Sequence, residues 1–419
     1  MVSAVLPYLA GESSLEISLV LLVHNHIRLV NRGEAQDSRK SERLIRSSAI
    51  DRCTVAGIGC DGRRDGRQSR HLMQSELIYN PHGGQVVLRH EIREVVAFLG
   101  RRGWSIAVRE TSEPMEATVL ARDAVRRGAK VVIAAGGDGT VNEVANGLFG
   151  TDAALGVLPV GTTNAWALQM GIPTLNPMSP GSNVAKFVSN LQERIAHPLP
   201  ANYYRKVLLD AARVLVEGRT IAVDVGEVSG RYFLMWAGIG LDAAIIESTS
   251  LREKRALGSW AYLLPILETV RRYPSTDVYL KLDGKAIKVR TSQIVVCNIQ
   301  LYGGFLLIGA KARVNDGKLD VCIFKGGGFL TFVQHALKVL SHQHLRDPKM
   351  EYHQCREIVV ESARALPVQV DGEPLTKTPI TIRTVPSALK VIVPRNTPEN
   401  LFNGDRTSLG LQNLQHKVT

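Results

Sequence analysis

The residues best suited to do chemistry lie in a glycine-rich turn within AAGGDGTVNEV, residues 134–144. Glycines at 136, 137 and 139 let the backbone approach a ligand closely. The helix expected after them would present free N–H groups and the positive end of its dipole, a combination that favours phosphate. Asp138 stands inside this turn, where its carboxylate would repel phosphate. A divalent cation near both groups, or a proton-transfer role, would explain it.

A second loop repeats the arrangement. The segment LGVLPVGTTNAWALQM, residues 155–170, predicts a strand, a loop from Gly161 to Asn164 and a helix. Asn80 and Thr111 follow the two strands expected before the glycine-rich turn. Ligands of open α/β sheets bind at the carboxyl ends of the strands, so these positions predict one nucleotide crevice.

Local signals predict how the two helices begin. Thr140 and Glu143 have the spacing of a capping box, and Asn164 is a candidate N-cap. Hydrophobic residues then recur at helical spacing after Thr140, so this helix is expected to pack on the sheet through Val141, Val144, Ala145 and Leu148.

Strand and helix patterns alternate from Ser75 to Val160, which indicates a doubly wound parallel sheet. After Ala201 the segments are short, β-rich and separated by Gly, Asp or Asn, as in an antiparallel sandwich. The predicted fold class is α/β + β. The predicted boundaries are a poorly ordered extension at 1–74, a nucleotide domain at 75–204 plus about 387–396, a β-sandwich substrate domain at 205–386 and a flexible tail at 397–419.

Composition favours anionic partners without choosing among them. The chain has 419 residues and a net charge of +12, which suits nucleotides, nucleic acid or an anionic membrane surface. Aromatic residues make up 5%, too few to interleave with a basic stripe, so nucleic-acid binding is not expected. No apolar run reaches the roughly 20 residues of a membrane span. Five scattered cysteines are typical of a reduced, cytoplasmic protein.

Five motifs, YNPHGG, GGDGTVNEV, GTTN, AGIGLDA and VDGE, occur in this order and together resemble the diacylglycerol kinase catalytic-domain family. That family includes sphingosine kinases and bacterial lipid kinases, and the resemblance extends from about Glu76 to Arg395. It implies an N-terminal nucleotide domain, a C-terminal β-sandwich and an active site between them. The implied reaction is the phosphorylation of a lipid hydroxyl by ATP, with Mg²⁺ as the second cofactor.

The resemblance also implies roles for individual residues. The nucleotide contacts fall on Thr111 and Thr162 and on the turn that comprises Gly136, Gly137, Asp138, Gly139, Thr140 and Asn142. Glu373 of VDGE is the implied proton acceptor. Asp138 is placed with the catalytic Mg²⁺, although related sphingosine kinases leave it open as the base. A structural magnesium site falls on Asp316 and the backbone carbonyls of Arg313 and Lys318, and Asp371 is grouped with the metal candidates.

A lipid substrate requires an apolar approach. The insert Leu251–Tyr273 has an apolar, aromatic middle and basic ends. This pattern suits an interfacial helix on an anionic membrane, although an ordinary core helix would show it too. The sequence therefore predicts a cytoplasmic, peripherally membrane-associated protein and leaves homodimerisation open.

Two rival functions remain at this level. An NAD kinase-like enzyme could use the same GGDGT turn, which NAD kinases and phosphofructokinases share in the same or a near form. A lipid-binding pseudokinase would keep the fold without catalysis. The GTTN and DGE motifs argue against the first rival, and the presence of Asp138 and Glu373 argues against the second.

Overall fold

The protein is described here by a computed structural model that places residues 72–84, 87–175, 201–248, 268–304 and 306–403. Its first half contains a parallel sheet in the order β2, β1, β3, β4. The strands are β1 (Met73–Tyr79), β2 (Trp104–Glu110), β3 (Val131–Gly136) and β4 (Ala154–Pro159). Strand β1 begins two residues before the expected start because Met73 and Gln74 pair with Trp104 and Ser105.

Helices follow these strands as expected. They are α1 (Arg89–Gly100), α2 (Glu116–Arg126), α3 (Asp138–Leu148) and α4 (Ala165–Met170). Helix α3 buries the stripe predicted for it, and β3 and β4 are buried along their whole length. Such continuous burial is typical of parallel strands that are covered on both faces.

A helix that the sequence reading missed, α5 (Ala201–Glu217), packs against α1 and β4 and crosses the expected boundary at residues 204–205. Its buried residues recur at helical spacing: Val207, Leu208, Ala211, Ala212 and Leu215. The β-rich part of the chain therefore begins after Glu217, because this amphipathic helix still packs on the parallel sheet.

The second half consists of antiparallel strands. In chain order they are β5 (Arg219–Val228), β6 (Arg231–Phe233), β7 (Trp236–Gly240), β8 (Thr276–Leu282), β9 (Lys285–Cys297), β10 (Leu301–Tyr302), β11 (Leu306–Leu307), β12 (Leu319–Lys325), β13 (Met350–Cys355), β14 (Glu357–Ser362), β15 (Pro367–Val370), β16 (Glu373–Lys377) and β17 (Ile380–Val393). The helices among them include α6 (Leu241–Ser248) and α7 (Phe329–Leu340). The fold class is thus α/β + β, as the sequence indicates.

Strand β17 joins the two halves of the sheet. It runs antiparallel to β14 and β5, and its residues Lys390 and Val391 pair in parallel with Ala154 and Leu155 of β4. The last strand therefore returns to the first sheet, as expected. The domain boundaries themselves stay a prediction.

Some expectations lie outside the described residues: most of the N-terminal extension, residues 249–267 of the apolar insert and the tail from residue 404 onwards. Within the described part, no helix combines the length and hydropathy needed to cross a membrane.

Candidate active site

Three loops meet backbone to backbone at the carboxyl edge of the parallel sheet. A Cβ atom built at Gly161 would lie 2.4 Å from the Cα of Gly137, and one at Gly137 would lie 3.3 Å from the carbonyl oxygen of Gly83. A side chain at Gly161 would force these loops apart, so this position requires glycine. The result is a surface made of main chain beside the N-terminus of α3, which suits phosphate groups.

The first of these loops is tied to α3. Asn80 Nδ2 donates to Thr140 Oγ1 over 3.1 Å, and the Asn80 amide donates to the carbonyl of Ala135. Thr111 is buried, and its amide donates to the carbonyl of Tyr79. The predicted residues at the ends of β1, β2 and β3 are thus brought to one edge.

Asp138 holds α4 in place. Its Oδ2 accepts the N–H of Ala165 over 2.9 Å and its Oδ1 accepts that of Trp166 over 3.2 Å. These are otherwise unsatisfied donors at the start of α4, so Asp138 caps a helix 27 residues further along the chain. Burial raises the pKa of Asp138, and the main-chain bonds oppose that shift.

Asn164 is the residue before α4, as predicted, but it does not cap the helix through its side chain. Its amide group instead closes the loop: Oδ1 accepts the N–H of Gly161 and Nδ2 donates to the carbonyl of Gly161. Because Asp138 already satisfies the helix donors, Asn164 is left to fix the loop. Thr162 is exposed on this loop.

The capping box predicted for α3 is wrong. The helix starts at Asp138, and no side chain bonds to its first amides from the N-cap. Thr140 instead accepts from Asn80, and Glu143 accepts the N–H of Ala117 at the start of α2. Tertiary partners have replaced the local pairing. Burial raises the pKa of Glu143, and the nearby carboxylate of Glu373 adds to the effect.

Asn142 is buried, and its side chain bonds to groups away from the glycine-rich turn. Its Oδ1 accepts from Asn146 Nδ2, and the same nitrogen donates to the carbonyl of Tyr232. These bonds connect α3 to β6 of the antiparallel half.

The DGE motif forms the turn between β15 and β16. Asp371 adopts a positive φ of 46°, and its carboxylate accepts three main-chain N–H bonds, from Leu234, Met235 and Trp236. Burial raises the pKa of Asp371 to about 7, although the three donors oppose the shift. This carboxylate ties the turn to the entry of β7, and its grouping with the metal ligands stays a prediction.

Glu373 reaches from that turn to the glycine-rich loop. A Cβ atom built at Gly139 would lie 3.8 Å from Glu373 Oε1. Oε2 of the same carboxylate forms an ion pair with Arg231, a partner 142 residues away that the sequence reading did not identify. Arg231 stands in the short strand RYF without a motif of its own, so nothing local signals this contact. The fold thus brings the predicted base to the predicted phosphate loop.

The residues predicted to form a structural magnesium site lie apart from the glycine-rich loop, in a cleft of their own. Asp316 Oδ1 accepts the amide of Lys318, and Asp316, Arg313 and Lys318 line a cleft of about 640 Å³. Asp320, four residues after Asp316, is a further carboxylate near these residues. Its Oδ2 is buried without a hydrogen-bond partner among the described residues, and burial raises its pKa to about 6. Across the described ranges, no cluster of three or more His, Cys, Asp or Glu side chains forms a metal site.

Comparisons with known proteins place the chain in a family. Residues 74–196 match the diacylglycerol kinase catalytic domain, and residues 236–393 match the YegS C-terminal NAD kinase beta sandwich-like domain. The two models cover both halves of the fold. The chain belongs to the diacylglycerol kinase catalytic-domain family, and it is therefore a lipid kinase, for which ATP is the expected donor.

The alignments with individual relatives cover nearly the whole length of each relative. Diacylglycerol kinase of Bacillus subtilis (strain 168) is 28% identical over 79% of this chain and 99% of its own. Diacylglycerol kinase of Staphylococcus carnosus (strain TM300) is 24% identical over 77% and 96%. The crystal structure of a diacylglycerol kinase from Bacillus anthracis shares the fold, with a TM-score of 0.58 and 22% identity over 77% of this chain and 97% of that one.

Proposed function

We propose that this protein transfers the γ-phosphoryl group of ATP to a hydroxyl of diacylglycerol or a related sphingoid or glycerolipid. The transfer takes place where the glycine-rich loop meets the DGE turn. The observation that carries the proposal is the approach of Glu373 Oε1 to Gly139. It supplies a proton acceptor beside the surface that suits the phosphates.

The donor side rests on main chain. Phosphoryl transfer needs positioning and charge stabilisation more than covalent chemistry from the protein. The packed glycines at 83, 137 and 161 leave room for phosphate groups against the backbone, and the amides of α3 face the same edge. Thr111, which follows β2, and Thr162, on the loop after β4, are the candidate nucleotide contacts at this edge of the sheet.

The acceptor side rests on Glu373. An alcohol is a weak nucleophile, and a carboxylate within hydrogen-bond reach can take its proton. Glu373 is partly exposed and held by Arg231, so it can meet an incoming hydroxyl. Asp138 is engaged with the amides of Ala165 and Trp166. We therefore assign the proton to Glu373 and the positioning of the two loops to Asp138.

The residues present fit two cation positions. Mg²⁺ bound with the nucleotide would neutralise phosphate charge beside the glycine-rich turn that contains Asp138. A second cation would suit Asp316, because the unpartnered Oδ2 of Asp320 is buried nearby and the charge of Asp316 contributes to its raised pKa. Arg313 and Lys318 would contribute backbone carbonyls there.

The relatives' names support diacylglycerol as the first acceptor to test, since the alignment with the Bacillus subtilis enzyme covers 99% of that enzyme. A membrane lipid as substrate also supports a cytoplasmic protein in peripheral contact with an anionic membrane. Homodimerisation stays open.

A lipid panel tests the proposal. The full chain is incubated with ATP and Mg²⁺ and, separately, with diacylglycerol, sphingosine or NAD, and products are read by mass. We expect phosphatidic acid from diacylglycerol and no product from Glu373→Gln. Phosphorylated NAD alone would indicate the NAD kinase-like rival. Lipid binding without product from any acceptor would indicate a pseudokinase.

A further inference from the structure

Helix α7 is apolar on its outer face as well as its inner one. Its inner face buries Val339 and His335, which lies edge-on to Phe324. On the outside, Leu330 and Leu337 are 56% and 57% exposed. A surface helix of a globular protein normally turns polar residues outwards, and a helix that is apolar all round lies in a core or in lipid.

Three exposed leucines and the half-buried Val333 form one line. Leu330, Val333, Leu337 and Leu340 are spaced by three, four and three residues, so they share one face of α7. We call these four residues the α7 stripe. The helix FLTFVQHALKVL contains no acidic residue.

Basic side chains border the α7 stripe. Lys338 lies one turn after Gln334 on the same edge, and Lys349 Nζ donates to Gln334 Oε1 over 3.1 Å. Arg346 follows the helix and is exposed. Among the described carboxylates, none forms an ion pair with these three cations. Leucines next to cations that have no ion-pair partner among the described residues complement the acyl chains and anionic headgroups of a membrane.

The α7 stripe lies on an element that is connected to the catalytic loops. Helix α7 packs on β11. The turn between β10 and β11 touches the second nucleotide loop, since a Cβ atom built at Gly304 would lie 2.5 Å from Thr163 Cγ2. The turn before α7 approaches Ser275, which follows the apolar insert in the chain.

We propose that the α7 stripe is a surface through which this protein docks on an anionic membrane. The inference rests on the proposed function, because the substrate is then a lipid that stays in the bilayer. Docking inserts the leucines among the acyl chains and sets Lys338, Arg346 and Lys349 at the headgroups.

A second copy of the chain fits this surface less well. Two copies facing each other through α7 would bring like charges together at Lys338 and Lys349. The area that four apolar side chains can bury also falls short of the roughly 800 Å² that each partner of a stable interface buries. A negatively charged lipid surface meets neither difficulty.

Vesicle binding of the full chain tests the inference. The probes are vesicles of phosphatidylcholine with phosphatidylglycerol, and vesicles of phosphatidylcholine alone. We expect Leu330→Gln/Leu337→Gln to weaken binding to the mixed vesicles by about tenfold for each leucine. Lys338→Gln/Lys349→Gln should weaken that binding about fivefold for each lysine and leave binding to phosphatidylcholine alone unchanged.

The matched control is Val108→Gln/Val119→Gln, which removes two comparably exposed apolar residues, 42% and 56% exposed, from β2 and α2. It should bind vesicles as the unaltered chain does. Turnover of a short-chain diacylglycerol dispersed without membrane is measured in parallel. It should be unchanged in the leucine variant, so loss of docking and failure of the proposed activity give different results.

Two outcomes would overturn the inference. One is vesicle binding by the leucine variant equal to that of the unaltered chain. The other is a change of oligomeric state, measured by sedimentation, with vesicle binding intact, since it would make the α7 stripe a contact between copies.

Discussion

The two carboxylates nearest the phosphate loop, Asp138 and Glu373, are held in opposite ways. Asp138 accepts two main-chain N–H bonds from α4 and so ties one glycine loop to the other. Glu373 is partly exposed and its described partner is the Arg231 side chain. A carboxylate that satisfies helix donors is suited to holding structure, and one held by a side chain at the cleft can exchange a proton.

The largest expected effect comes from removing the proposed base. Glu373→Gln keeps the shape of the side chain but cannot take a proton, so kcat should fall by about 10² to 10⁴ with little change in stability. Steady-state phosphorylation of dispersed diacylglycerol measures it. Glu357→Gln, which breaks an exposed pair with Arg383 elsewhere, is the control and should keep full activity. Equal activity in both variants would remove Glu373 from the mechanism.

The next largest effect concerns the packed glycines. Gly161→Ala would push Gly137 away, and displacement of the phosphate surface by about 1 Å should lower kcat/KM for ATP by about 100-fold. Gly100→Ala, where a Cβ atom meets nothing within 4 Å, should leave kinetics unchanged. If Gly161→Ala behaves like Gly100→Ala, the loops do not bind phosphate through their backbone.

Arg231 should have a smaller effect because it acts through Glu373. Arg231→Gln should lower kcat about tenfold and leave the KM for ATP unchanged, since Glu373 loses the partner that holds its carboxylate at the phosphate loop. Arg231→Lys should restore part of the activity. Arg89→Gln, which breaks an exposed pair with Glu110, is the control. An unchanged kcat with a lower free energy of unfolding would argue that Arg231 only stabilises the fold.

The smallest expected effect is a loss of folding stability when either of two acidic residues of α3 is replaced. Asp138→Asn and Glu143→Gln each weaken the capping of a neighbouring helix, so each should lower the free energy of unfolding by about 1 kcal/mol in urea titrations. Asp138→Asn should also weaken ATP binding, whereas Glu143→Gln should not. Unchanged stability in Asp138→Asn would contradict its assignment as a link between the loops.

The contrast also shows what the sequence could predict. The glycine turns and the buried stripe of α3 depend on residues that are neighbours in the sequence, so the local pattern was sufficient to predict them. The partners of Asp138, Glu143 and Glu373 lie between 26 and 142 residues away, and only the fold decides them. The capping box failed for this reason, because Thr140 and Glu143 found tertiary partners.

Fold class was predictable because the rhythm of strands and helices changes along the chain. Helix α5 was not predicted although its hydrophobic period is clear, because it lies where the α/β segments give way to short β-rich ones. Arg231 carried no motif, and its contact with Glu373 appears only when β6 and the DGE turn are assembled.

The division of roles between the two carboxylates is tested most directly by measuring ATP affinity and single-turnover phosphorylation of diacylglycerol side by side in Asp138→Asn and Glu373→Gln. We predict that Glu373→Gln binds ATP as the unaltered chain does and forms almost no product. Asp138→Asn should bind ATP more weakly and still form product when ATP is saturating. The reverse pattern, with turnover lost in Asp138→Asn and retained in Glu373→Gln, would contradict the account.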